Sequence, residues 1–199
     1  MHILDLLEAI RAIAQTGLNY EQDHYNRERY ERLIQLAAGE YATLTGDEEQ
    51  QVAERLRGEL GYITPKIGCA GVVTNEQGHL LLVKRSDNGR YGFPGGYAEV
   101  GLTPQDNVRR EIREETGLEV RVDELINVFC TLPGEFNQPH TVYGLYFACT
   151  VTGGTLTPSH ETPEVGFYDH TQITHWHMRH AERAAYVVQW LKECGRYGR

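Results

Sequence analysis

No stretch of this 199-residue chain approaches the ~18 consecutive apolar residues that a membrane-crossing helix requires, and the amino terminus has no basic region followed by a secretory-type apolar core. A soluble, cytoplasmic protein is therefore expected. Cysteine is sparse as well. Cys69, Cys130, Cys149 and Cys194 contain no C-x-x-C pair and form no dense framework, which points to reduced, buried thiols and away from disulfides or structural zinc. Positive charge is the third shortage. Nineteen lysines and arginines face 28 aspartates and glutamates for a net charge of −9, and residues 1–60 hold twelve acids against six arginines. A nucleic-acid partner normally needs a basic footprint, so this segment is a poor candidate for one. Apolar residues are plentiful at 40%, enough over this length for one sizeable core and an appendage.

Against that background residues 95–118 stand out: Gly-Gly-Tyr-Ala-Glu-Val-Gly-Leu-Thr-Pro-Gln-Asp-Asn-Val-Arg-Arg-Glu-Ile-Arg-Glu-Glu-Thr-Gly-Leu. Thr103 suits an N-cap, Pro104 the first helical position, and Gly117 the left-handed residue that ends a helix. These predict a helix over residues 104–116. At ~100° per residue Glu111, Glu114 and Glu115 share one arc, while Val108 and Ile112 lie on the adjoining arc and pack inward. Glutamates at this spacing are common on solvated helix faces. Here they follow Gly95 and Gly96, which permit a close approach of backbone to ligand, and a strand-like run at residues 78–85. Clustered carboxylates raise each other's pKa unless a cation or an arginine compensates them, and Arg110 is at hand. Hard oxygen donors favour Mg²⁺ or Mn²⁺ over zinc.

The first sixty residues read as three amphipathic helices. Ile3, Leu6, Leu7, Ile10, Ile13 and Ala14 keep a helical period, with Gly17 as the stop. A second helix starts at Asn19, with Gln22 completing a capping box, and buries Tyr30, Leu33, Ile34, Ala37 and Tyr41. Thr45 with Glu48 caps a third, carrying Val52, Leu56 and Leu60. Such helices need a partner surface, either the rest of the chain or a second subunit. Gly61, Thr64 and Pro65 form the linker. Beyond it, residues 67–73 and 80–84 flank Asn-Glu-Gln-Gly in the manner of a hairpin, residues 118–130 and 141–151 read as strands, and a helix at 181–193 closes the chain.

From Gly96 onward the glycine-helix run resembles the Nudix hydrolase signature, G-x5-E-x7-R-E-U-x-E-E-x-G-U with U aliphatic, at every fixed position but one; Leu102 stands where the first Glu belongs. The resemblance covers about residues 66–170. It implies an α/β fold, the α/β/α sandwich with mixed sheet, here preceded by a helical segment, which divides the chain into residues 1–60 and 61–199. It further implies a Mg²⁺- or Mn²⁺-dependent enzyme that hydrolyses nucleoside diphosphates linked to another moiety. Carried over residue by residue, Glu111, Glu114 and Glu115 hold metal, the Gly95 carbonyl adds a ligand, and Glu111 or Glu115 activates water. Arg110 orients the carboxylates through ion pairs whose geometry Lys could not copy. Leu102 puts the number of metals in question. The Gly-Gly-Tyr-Ala-Glu-Val-Gly-Leu stretch and the helical extension resemble a subgroup similar to CDP-choline pyrophosphatases, which implies a homodimer.

Outside the signature, His-Glu-Thr-Pro-Glu-Val-Gly-Phe at residues 160–167 resembles the Nudix segment that brings a further carboxylate to the metals. Glu164 is the first choice there and Glu161 the second. Arg85 and Arg90 are candidates for phosphate oxygens, and Phe136, His140 and Tyr143 for stacking on base or ribose. Pro133 lies at a spacing associated with ADP-ribose hydrolases in the family. His175, His177 and His180 lack acidic or cysteine companions at ligand spacing and read as the exposed start of a helix. The function expected is hydrolysis of a CDP-choline- or ADP-ribose-type substrate to a nucleoside monophosphate. The alternatives are a nucleotide sensor that does not turn its ligand over, and an enzyme acting on RNA 5′ ends.

Overall fold

The computed structural model describes residues 2–59 and 62–198. They fall into two compact units, Met1–Lys66 with Thr131–Val142, and Ile67–Cys130 with Tyr143–Arg199. Leu60 and Gly61, expected in the third helix and the linker, lie outside the described residues.

The first unit is built from α1 (Ile3–Tyr20), α2 (His24–Thr45) and α3 (Glu49–Gly58). All three begin or end away from the expected positions, because other signals close in the chain, and one contact between helices, prevailed over those expected. Gly17 does not stop α1; it sits in the last turn, three residues before the end, where a Cβ would overlap the ring of Tyr30 on α2. The break comes instead at Glu21, whose carboxylate accepts the amides of Gln22 and Asp23 at 2.9 Å each, while Arg27 donates to the Leu18 and Glu21 carbonyls at 2.8 and 3.0 Å. Asp23, not Asn19, then caps α2 by accepting the Asn26 amide at 3.0 Å. Thr45 belongs to the end of α2, where Gly46 takes the left-handed conformation, and Glu48 is the cap position of α3. The core between the helices is Leu7, Ile34, Tyr41, Val52 and Leu56, with Ala14, Ala37, Ala38, Ala42 and Ala53 letting the backbones approach. Ile3, Leu6 and Ile13, expected on the buried face, are exposed. Segment 131–142 is fastened to α1 through Glu8, which accepts the Thr141 amide at 2.9 Å and hydroxyl at 2.7 Å.

The second unit holds β1 (Lys66–Val72), β2 (Leu80–Lys84), β3 (Tyr91–Gly92), β4 (Gly95–Tyr97), α4 (Pro104–Thr116), β5 (Leu118–Thr131), β6 (Val142–Gly154), β7 (Glu164–Tyr168) and α5 (His180–Glu193). The strands form two sheets, ordered β4-β1-β6-β5 and β3-β2-β7. Alternation along the strands sorts side chains onto two faces. Cys69, Val73, Leu81, Val120 and Phe147 meet Val108 and Ile112 of α4; Ala70, Val72, Leu80, Leu82 and Tyr146 meet Ala184, Val187 and Leu191 of α5. Helix, strands and helix thus stack as the expected α/β/α sandwich with mixed sheet. The expected hairpin is present but short: Gly78 closes a turn onto Asn75 at 2.9 Å, Thr74 and Leu80 bridge antiparallel, and the Leu81 amide donates to the Val73 carbonyl at 2.9 Å before the two strands part into different sheets. Among the described residues no helix is long and apolar enough to cross a membrane.

Candidate active site

Strand β4 runs antiparallel to β1, with Gly95 opposite Ala70 and Gly96 opposite Cys69. Both glycines are there for lack of room. Gly95 has φ +154, and a Cβ on it would overlap the Cys69 carbonyl oxygen and come within 2.8 Å of Ala70 Cα; on Gly96 a Cβ would stand 3.0 Å from Glu111 Oε1. The backbone is thereby pressed against the carboxylates of α4. That helix is capped as its sequence indicates: the Thr103 hydroxyl accepts the Asp106 amide at 3.1 Å, and Gly117, at φ 74, donates to the Arg113 carbonyl at 3.0 Å.

The three glutamates are not equivalent. Glu115 is 8% exposed and accepts the Gly95 amide at 2.8 Å. Burial pushes its pKa up to about 7, against the Gly95 hydrogen bond; the charges of Glu111 and Glu161 raise it further, and that of Arg85 lowers it. Burial also raises the Glu111 carboxyl, opposed by Arg110. Glu114 is the open member, its side chain 52% exposed. Arg110 joins the set, with ion pairs to Glu111 at 2.6 Å, Glu114 at 3.0 Å and Glu99 at 3.1 Å. Its buried Nε has no hydrogen-bond partner.

Outside α4 the structure separates the candidates. Glu164 is paired in register with Lys84, which donates to it at 3.0 Å, and it also accepts the hydroxyls of Tyr91 and of Tyr168, the latter at 3.2 Å. Those donors hold its carboxyl below the usual range. It is Glu161 whose charge acts on Glu111, Glu115 and Arg85. Arg85 is forked onto Asp87 at 3.0 and 2.9 Å, and Arg90 is exposed. Tyr143 is exposed on β6 in the same unit as the carboxylates. Phe136 and His140 belong to the helical unit, as does Pro133, which lines a cavity of about 330 Å³ with Ala9, Ala12, Pro65 and Thr141.

Two residues carry structural weight that the sequence did not announce. Asn107, fully buried in α4, accepts the Glu99 amide at 2.8 Å and donates to the Thr103 carbonyl at 3.0 Å, which pins the loop between glycines and helix. An Asn inside a helix, where its propensity is poor, was the available signal. His180 begins α5 but is buried and not exposed. Its Nδ1 accepts the Phe93 amide at 3.1 Å, so the ring is neutral there, and burial beside Arg183 holds its pKa well below the usual histidine value. His177 is pushed down to about 4 by burial and Arg85, while the His175 carbonyl accepts the Tyr91 amide at 2.9 Å. This cluster braces strand β3 and the approach to Gly95.

Among the described residues no three His, Cys, Asp or Glu side chains are gathered as a ready cation cage. Arg110 occupies the place between Glu111 and Glu114 and supplies part of the positive charge the carboxylates need. The donor chemistry nevertheless fits a hard divalent ion. Glu111 and Glu115 are carboxylates that burial and mutual repulsion keep from ionising freely, and a cation relieves both. Leu102, exposed and apolar, adds nothing to that set.

A family model described as NUDIX domain matches residues 64–191, and one described as UDP-X-like, N-terminal oligomerisation domain, matches residues 1–56. The Bacillus subtilis (strain 168) protein YjhB is 34% identical over 171 residues, 85% of this chain and 82% of that protein. A Methanocaldococcus jannaschii protein named ADP-ribose pyrophosphatase is 30% identical over 132 residues, 65% of this chain and 76% of its own. The crystal structure of a UDP-X diphosphatase superposes at a TM-score of 0.62 and 26% identity, over 96% of this chain and 94% of the other.

Proposed function

The chain belongs to the Nudix family of pyrophosphohydrolases, and on that premise we propose that it cleaves the pyrophosphate of a nucleoside diphosphate linked to a small moiety, of the ADP-ribose or CDP-choline type, releasing a nucleoside monophosphate. The observation that carries this reading is the buried Glu115 carboxyl, raised to about 7 and held against Gly95 beside Glu111. Buried beside Glu111 and held to the Gly95 amide, this carboxylate gains from a nearby cation and stands where it can accept a proton from water. The names of the archaeal relative and of the UDP-X diphosphatase support the substrate class, since both describe hydrolysis of a diphosphate-linked molecule.

Glu111, Glu114 and Glu115, with the Gly95 carbonyl, are the donors for Mg²⁺ or Mn²⁺. Such an ion, when bound, neutralises phosphate oxygens and lowers the pKa of its water. Within that frame Glu115 receives the water proton, with Glu111 as the second candidate. Arg110 keeps Glu111 and Glu114 oriented through its ion pairs. Glu161 takes the place first considered for Glu164, whose carboxylate is committed to Lys84 and two tyrosines. Arg85, next to the carboxylates in charge, is the best placed of the candidate phosphate ligands, followed by Arg90; Tyr143, Phe136 and His140 are the candidate contacts to base or ribose.

We read residues 1–60 as the assembly segment and 61–199 as the hydrolase domain. A homodimer through α1 accounts for Ile3, Leu6, Ile13 and Tyr20, which are exposed along one face of that helix, and it agrees with the family description of the segment. Four free thiols, of which Cys130 and Cys194 are exposed where buried ones were expected, suit the reducing cytoplasm. The deciding assay is phosphate release coupled to alkaline phosphatase from CDP-choline, ADP-ribose, NADH, diadenosine polyphosphates and dNTPs, with Mg²⁺ and with Mn²⁺. Metal-dependent release from a nucleoside diphosphate derivative is expected. Release only from dNTPs, or silence across the panel, would overturn the substrate class.

A further inference from the structure

We infer that Thr162 is a positioning residue: its hydroxyl ties segment 159–162 to the last turn of α4 and so fixes the backbone from which Glu161 reaches toward Glu111 and Glu115. The inference rests on the metal-dependent reading above. It starts from an ordinary need of helices, whose last carbonyls have no partner inside the helix. In α4 these carbonyls are met by the chain that follows β6. The Thr157 amide donates to the Thr116 carbonyl at 2.9 Å, and the Thr162 hydroxyl donates to the Glu115 carbonyl at 2.7 Å. The second contact lands on the backbone of the residue whose side chain is central to the site.

Proton accounting makes the arrangement specific. A threonine hydroxyl has one proton, and Thr162 gives it to Glu115. The Ser159 hydroxyl, 2.9 Å from Thr162 Oγ1, must therefore donate to it, while accepting the Thr162 amide at 3.2 Å. The Ser159 amide closes the ring by donating to the Thr162 carbonyl at 3.1 Å. Thr162 is 1% exposed, so water does not compete for these bonds. On the other flank the Glu161 carbonyl accepts the Ser86 amide at 2.9 Å. Glu161 is thus held on both flanks, while its own side chain is 70% exposed and pairs with His160 at 3.4 Å. The backbone that carries this side chain is anchored to Glu115 and to the residue after Arg85, which keeps its carboxylate within reach of the charges of Glu111, Glu115 and Arg85.

The test is Mn²⁺ binding, read from the spectrum of the free ion by electron paramagnetic resonance, together with kcat and KM. It uses the full chain and the variants Thr162→Val, Thr162→Ser, Glu161→Gln and Thr162→Val/Glu161→Gln. Thr162→Val should weaken Mn²⁺ binding by roughly tenfold and lower kcat more than it changes KM, the size typical when a residue supporting a ligand is lost. Thr162→Ser keeps the hydroxyl and should restore both. With Glu161→Gln already present, Thr162→Val should add less than about twofold, because the two act through one another. An equal loss with and without Glu161, or a lower melting temperature with unchanged Mn²⁺ binding, would overturn the inference. Should Thr162→Val fail to fold, Ser159→Ala removes the neighbouring hydroxyl and should act in the same direction, and its Mn²⁺ binding matching the wild type would equally overturn the inference. A wild-type protein that binds no Mn²⁺ would instead overturn the functional reading itself.

Discussion

Stripping divalent ions with EDTA and raising the pH should loosen the hydrolase unit through one side chain. Glu115 stands at about 7 against an ordinary 4.5, because folding buries it. A group whose pKa is higher in the folded than in the unfolded chain stabilises the fold fully below the unfolded value, and that contribution is lost as the pH climbs through the folded value. For Glu115 the loss begins near pH 4.5 and is complete somewhat above 7. At about 1.4 kcal/mol per pH unit the interval corresponds to roughly 3 kcal/mol, a large share of the stability of an ordinary domain. The comparison that isolates it is Glu115→Gln, which is neutral at every pH and keeps an oxygen for the Gly95 amide. Urea unfolding followed by tryptophan fluorescence reports on the right unit, since Trp176 and Trp190 both pack against its core. From pH 4 to 8 the variant should gain on the wild type by roughly 3 kcal/mol, and saturating Mg²⁺ at the high end should favour the wild type again. Two profiles that run parallel across this range would refute the reasoning, because every other titrating group is common to both proteins.

Other expectations follow from the same geometry. Glu114→Gln and Glu115→Gln should each lower kcat by roughly 10²-fold or more with an unchanged far-ultraviolet circular dichroism spectrum, since each removes charge and little packing. Gly95→Ala should cost at least about 2 kcal/mol in urea unfolding, because both its φ of +154 and the Cys69 carbonyl oppose a side chain. Leu6→Glu with Ile13→Glu should convert a dimer to monomers in sedimentation velocity while leaving the helices folded; an unmoved sedimentation coefficient would exclude α1 as the contact. His177→Ala should leave kcat within about twofold of the wild type, whereas His180→Ala should lower the melting temperature by exposing the Phe93 amide to an empty buried space.

Helix α4 was legible to the residue because its signals are local. Thr103, Pro104 and Gly117 act within one turn of the positions they govern, and the spacing of Val108 and Ile112 against the glutamates needs only the helical period. The helical unit was less legible for a physical reason. Asn19, Gly17 and Thr45 are competent caps or stops by themselves, and the choice among competent signals was made by Tyr30, Glu21 and Arg27, which act from a neighbouring helix or turn. Pattern alone also could not tell whether strands 67–73 and 80–84 would stay paired, because each found its main partner far along the chain. Glu161 and Glu164 show the same limit at the site. They lie three residues apart in sequence, and only the register that sets Glu164 opposite Lys84 shows that its carboxylate is committed to that strand pair. Burial of His180 was invisible for a related reason: polarity suggests exposure, while the Phe93 amide and Tyr146 hydroxyl give the ring two partners inside.

The make-up of the helical unit from two separate stretches of chain has a consequence for inheritance. Residues 131–142 leave the end of β5, join the helical unit, and return to begin β6, held there by Glu8 and Thr141. The amino-terminal helices are thus stitched to the middle of the chain and do not simply precede it. A graft that exchanged them with those of a relative would leave a foreign loop facing α1 unless that loop travelled too. Recombination at a single point near residue 60 should therefore yield poorly folded hybrids, and the two stretches should change together as lineages diverge.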